Sequence, residues 1–169
     1  MKDLAIYLND HLAGSTAAME MVQDLIEAHQ GERLEGFLRP LREDIQSDQG
    51  ELRSLMEGLG VEESKLRKTG AWMAEKASRL KLRVADFGEP NLALLQSLET
   101  LSIGIMGKRL LWRTLDATIA AVARKSGSDL LRLERRAGEQ FERVEREVFR
   151  IARQTFVREV HGKSKSAEC

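Results

Sequence analysis

The chain has 169 residues, 42% hydrophobic and 32% charged, the make-up of one globular domain rather than of a disordered or membrane-spanning chain. Two prolines suit long helices, and 5% aromatic residues argue against a β-sandwich or a base-stacking platform for nucleic acid. Lysine plus arginine and aspartate plus glutamate each number 27, so nothing steers the whole molecule toward nucleic acid or an anionic membrane.

The first helix is predicted over about 2–29, from apolar and small residues recurring at steps of three and four: Leu4, Leu8, His11, Ser15, Ala18, Val22 and Leu25. The second, about 32–58, follows Leu34, Leu38, Leu41, Ile45, Asp48, Leu52 and Leu55. Pro40 is expected to kink it or to mark a later start, and Gly58 and Gly60 to end it. A connector over 61–90 carries a shorter amphipathic segment with Leu66, Trp72, Met73, Ala77 and Leu80 among basic residues that include Lys65, Lys68 and Lys76. The third helix, about 91–124, starts beside Pro90 and follows Leu98, Leu101, Ile105, Lys108, Trp112, Leu115 and Ile119. Ser126-Gly127-Ser128-Asp129 breaks the chain and caps a fourth helix, about 129–160. Its stripe reads Leu133, Ala137, Phe141, Val144, Val148, Ile151 and Thr155, with Glu139–Arg143 and Glu142–Arg146 pairs outside. Residues 161–169 read as a polar, disordered tail to a single domain spanning 1–160. The fold expected is an all-α, antiparallel four-helix bundle with a long crossover between helices 2 and 3.

Charge divides unevenly along this plan. Residues 1–60 hold 5 basic and 12 acidic side chains, a net of −7; residues 61–169 hold 22 and 15, a net of +7. The halves are expected to attract each other, within the fold or between the subunits of a dimer. The only cysteine, Cys169, can make no internal disulfide, and no apolar run reads as a signal peptide or span, so a cytoplasmic location is expected.

The order helix, short turn, helix, long connector, helix, short turn, helix resembles the ferritin-like superfamily, above all its small bacterial stress-associated members. Its local anchors are Asp48-Gln49-Gly50-Glu51 on helix 2 and Leu98-Glu99-Thr100-Leu101-Ser102-Ile103-Gly104 on helix 3. The resemblance implies a dinuclear metal site built from one Glu on each of two helices and a Glu-x-x-His pair on each of the others. Carried over, the helix 1 glutamate falls near Ser15, and the helix 2 pair becomes Asp48 and Glu51. Glu99 is kept with Ser102 as its partner, and the helix 4 pair becomes Glu139 and Glu142. No Glu-x-x-His occurs in the chain.

Two readings follow. In the first, the ligand set is degenerate, no cofactor is expected, and Ser15, Asp48, Glu99, Ser102 and Arg109 form an internal polar layer. The protein is then non-catalytic and works through a protein partner or as a homodimer. In the alternative, Asp48, Glu51, Glu99, Glu139 and His11 hold iron or manganese in an oxidase or storage protein. Asp48 carries both readings, because a carboxylate in a leucine stripe must be paired, ligated or neutralised. Lys108, beside Glu99 and Arg109, reads either as a substrate anchor or as part of an internal ion pair replacing metal charge. A lone His11 on a core stripe is more often hydrogen-bonded than metal-bound. The basic connector is expected to cover the bundle rather than to bind nucleic acid or a membrane surface. No Walker A, Gly-x-Gly-x-x-Gly, Gly-x-Ser-x-Gly, Cys-x-x-Cys or His-Glu-x-x-His pattern occurs.

Overall fold

The computed structural model describes the backbone of residues 1–64 and 90–166, and the side chains of 1–64 and 91–157. The amphipathic segment expected around Trp72, with Lys65, Lys68 and Lys76, lies outside the described residues. Four helices follow in chain order: α1 (Lys2–Ala28), α2 (Arg33–Gly58), α3 (Pro90–Lys125) and α4 (Leu130–Ser166). There is no strand among the described residues. None of the described helices is long and apolar enough to cross a membrane.

The helix ends follow the local chemistry. Gly60 (φ +66°) and Gly127 (φ +83°) adopt the left-handed conformation that lets the chain turn back. The next residue then bonds across six positions, Val61 N–H to Met56 O at 2.8 Å and Ser128 N–H to Ala123 O at 2.9 Å, which closes both helix ends. Asp129 caps α4 by accepting from the Arg132 N–H at 2.9 Å. Gly58 is needed for packing, since a Cβ there would come 2.6 Å from the Ser126 side chain. The end of α2 therefore presses on the turn between α3 and α4.

Three expectations change. α2 already starts at Arg33 and runs through Pro40, which sits on an exposed face where water can take up the carbonyl that proline leaves without a donor. α4 continues to Ser166, past the boundary expected at 160, with no proline to stop it. Arg143 pairs with Asp44 of α2 rather than with Glu139 of its own helix. α3 has one break, at Ile119, whose dihedrals leave the helical region.

The apolar stripes meet in two clusters. One gathers Leu8 and Leu12 of α1, Leu52, Leu55 and Met56 of α2, Leu111, Trp112 and Leu115 of α3, and Leu133 and Ala137 of α4. The other gathers Val22 and Ile26, Leu34 to Ile45, Leu94 to Ile105, and Val144 with Ile151. Each draws on all four helices, so neither hairpin could bury its stripe alone. In sequence the two clusters part at Asp48 on α2, Lys108 on α3 and Gln140 on α4.

Candidate functional site: a charged layer and the cavity beside it

The 3.6-residue period that buries Ile45 and Leu52 also turns Asp48 inward, where it is 2% exposed. Its carboxylate accepts from the Lys108 ammonium and the Arg136 guanidinium, and from Gln140 Nε2 at 2.9 Å. Lys108 also donates to Gln140 Oε1. Gln140 is wholly buried, and its amide therefore ties anion and cation of the layer together. Burial pushes the Lys108 ammonium below the ordinary lysine value, and the adjacent Asp48 carboxylate opposes that shift. A second polar group joins α1 to α2. Gln49 Nε2 donates to Ser15 Oγ at 2.9 Å and to Thr16 Oγ1 at 3.1 Å, while its Oε1 accepts from Arg53 at 2.6 Å.

Beyond the layer, α2 and α4 are bridged along their length. Arg33 meets Glu147 at 3.0 Å, Asp44 meets Arg143, Asp48 meets Arg136, and Glu51 meets Arg132 at 2.6 Å. Partner numbers fall along α4 as they rise along α2. Three of the four bridges join an acid of the −7 half to an arginine of the +7 half. These three pairs join the two oppositely charged halves inside one chain.

On the other side, α1 and α3 border a cavity of about 440 Å³. Ile45, Leu52, Leu101, Ile105 and Leu111 give it apolar walls, and Asp48, Gln49 and Lys108 give it a polar one. Gly14 of α1 with Gly104 and Gly107 of α3 also line it, and a Cβ built on any of the three meets nothing within 4 Å. Trp112 lines it too. Its side chain is 1% exposed, and its indole N–H is buried without an acceptor. His11 borders the cavity with its ring edge-on to Tyr7, centroids 4.7 Å apart. Burial lowers the His11 pKa below the ordinary histidine value against the pull of Asp10.

The residues singled out from sequence are dispersed around this centre. Asp48 lies in the layer, and Ser15 and His11 line the cavity. Ser102 bonds the Leu98 carbonyl of its own helix at 3.0 Å, and Arg109 binds Glu134 at 2.6 Å. Glu99 and Glu139 are exposed, and Glu51 is held by Arg132. Lys108 does enter an internal ion pair, but with Asp48 rather than with Glu99. Arg136 is the arginine from a facing helix that a buried Asp48 calls for, whereas nothing in the sequence reading singles out Gln140.

This donor set does not fit a dinuclear carboxylate centre. Two cations already hold the one buried carboxylate of the layer, and a dication placed among them would meet like charge. Among the described residues, no group of three or more His, Cys, Asp or Glu stands close enough to hold a metal ion. Comparison with known protein families, with curated proteins and with solved structures finds no match for this chain.

Proposed function

We propose that this chain is a non-catalytic, ferritin-like bundle with antiparallel neighbours, which works in the cytoplasm by binding a protein partner or a second copy of itself. The observation that carries this reading is the use made of Asp48. At the place where the resemblance puts metal ligands, its carboxylate is taken up by Lys108, Arg136 and Gln140. A group so engaged is a poor acid, base or ligand. The falling order of α4 partners along α2 supports the antiparallel arrangement.

The surface offers means of association. Ile103 and Leu110 on α3, and Phe149 and Phe156 on α4, are all about half or more exposed, and each pair is spaced seven residues apart on one helix face. These apolar residues are the candidates for the contact.

The reading is tested by melting the protein in excess manganese, iron or zinc at neutral pH. The melting temperature is expected to stay unchanged. A saturable rise, absent from Asp48→Asn when each protein is compared with its own metal-free baseline, would restore the metal reading. Sedimentation of the wild type and of Ile103→Lys/Leu110→Lys addresses self-association. A wild type that stays monomeric at high concentration removes that half of the proposal.

A further inference from the structure

We infer that the outer face of α3 docks on the same face of a second copy of this chain. The two α3 helices run antiparallel, with Leu110 of each seated over Gly107 of the other. The inference rests on the self-association half of the proposed function and narrows it to one face and one register.

α3 bears two stripes. The inner one, from Leu98 to Leu115, packs in the core. The outer one reads Thr100, Ile103, Gly107, Leu110, Thr114 and Ala117, in steps of three, four, three, four and three. That alternation brings all six to one side of the helix and is the spacing that a second helix fills. Gly107 is half-buried and the other five are exposed, Ile103 by 74% and Leu110 by 54%. A Cβ built on Gly107 meets nothing within 4 Å, so the notch left by the glycine is open. The helix is regular along the stripe, since its one break, at Ile119, lies beyond it.

Two features choose a second copy as the occupant. First, no residue of the stripe is charged, so identical faces meet without like-charge repulsion. On α4 the same steps taken from Phe149 and Phe156 run into Arg146 and Arg153, which would bring arginines into a contact between copies.

Second, the stripe complements itself. A two-fold axis level with the Lys108–Arg109 peptide bond sets Leu110 against Gly107 of the second copy, Ile103 against Thr114, and Thr100 against Ala117. Each large aliphatic side chain then faces a smaller residue, and the glycine lets the backbones come close. A parallel pairing instead stacks Ile103 on Ile103 and Leu110 on Leu110, and leaves a gap where glycine faces glycine. One helix pair in contact over about 26 Å makes a smaller interface than the standard one of about 1,600 Å². The dimer is therefore expected to be weak, with a micromolar Kd.

Sedimentation of the full chain from low micromolar to millimolar concentration reads the dimer. Leu110→Lys should weaken it at least about thirtyfold, and Phe149→Lys by less than about twofold. Both side chains are exposed, so both variants should keep the melting temperature of the monomer. Ile103→Lys gives the same readout should Leu110→Lys misfold. Register is read by cysteine cross-linking in a Cys169→Ser background. Ile103→Cys/Thr114→Cys should form a covalent dimer on mild oxidation. Ile103→Cys alone should not, because its two copies lie roughly 16 Å apart along the contact.

A dimer broken by Phe149→Lys and spared by Leu110→Lys overturns this face and leaves self-association standing. Cross-linking by Ile103→Cys alone, or by neither variant, overturns the register. A wild type that stays monomeric at millimolar concentration overturns both this inference and the self-association on which it rests.

Discussion

The two long seams of the bundle are held in opposite ways. Between α2 and α4, arginines reach across to carboxylates from Arg33–Glu147 at one end to Arg132–Glu51 at the other. Between α1 and α3 themselves no hydrogen bond or ion pair is seen among the described residues, although Gln49–Ser15 and Lys108–Asp48 tie each of them to α2. Glycines line that seam instead, and a tryptophan N–H goes unanswered. One seam is closed by charge and the other is left open by missing side chains. The difference shows where this chain gives up stability, and such places are where function tends to lie.

The sharpest way to break the closed seam is at its buried point. Asp48→Asn should cost about 3–5 kcal/mol, because it leaves Lys108 and Arg136 as charges with no counter-ion. Urea unfolding at pH 7 measures it, and a loss under about 1 kcal/mol would mean that the layer is wetter than its burial implies. Replacing the whole set, Asp48→Leu with Lys108→Met and Arg136→Leu, should recover that loss and leave the protein as stable as the wild type, or more stable by up to about 4 kcal/mol.

The open seam should respond in the other direction. Gly107→Ala and Gly14→Ala are each expected to raise stability by about 0.5–1 kcal/mol, through helix propensity alone. A drop in melting temperature for either would mean that the space is already occupied.

A smaller effect, confined to acid, belongs to His11. Its folded pKa is depressed, so between its ordinary value and its folded one the unfolded chain binds the proton first. Stability present above that window is lost as pH falls through it. His11→Gln should flatten the stability curve there and leave neutral pH nearly untouched. An unchanged slope would show that another group titrates.

The smallest effect should come from the rim of the closed seam. Arg132 is 45% exposed in its pair with Glu51, and Arg132→Ala should cost less than about 1 kcal/mol, shrinking further in salt. A loss as large as that of Asp48→Asn would contradict the view that burial decides which bridge matters.

How much of this centre was legible depends on the residue. Asp48 could be found because a carboxylate stands out in a leucine stripe. Lys108 could be found for the same reason on helix 3, though not its partner. Gln140 was hidden by a choice of register. From Leu130 to Ile151 the buried positions of α4 run Leu130, Leu133, Ala137, Gln140, Val144, Glu147, Ile151, an alternation of three and four that places two polar residues inward over that stretch. Following the apolar residues instead led to Phe141 and Val148, which are half-buried beside that line. The periodicity carried the information, and preference for hydrophobic side chains overrode it.

The sequence by itself determined the four helices and their turns, because those depend on residues within one or two turns of each other: the apolar period, the glycines after α2 and α3, and the Asp129 cap. It also determined that the two halves of the chain carry opposite charge. Only the tertiary structure decided which acid meets which base, since Asp48 could have faced any cation that a neighbouring helix brought to its level. The cavity, too, was decided only there. A glycine in a helix is silent about whether it faces solvent, a partner or a hole, and Gly14 and Gly107 came to border one hole because two helices distant in sequence turn their small residues to it.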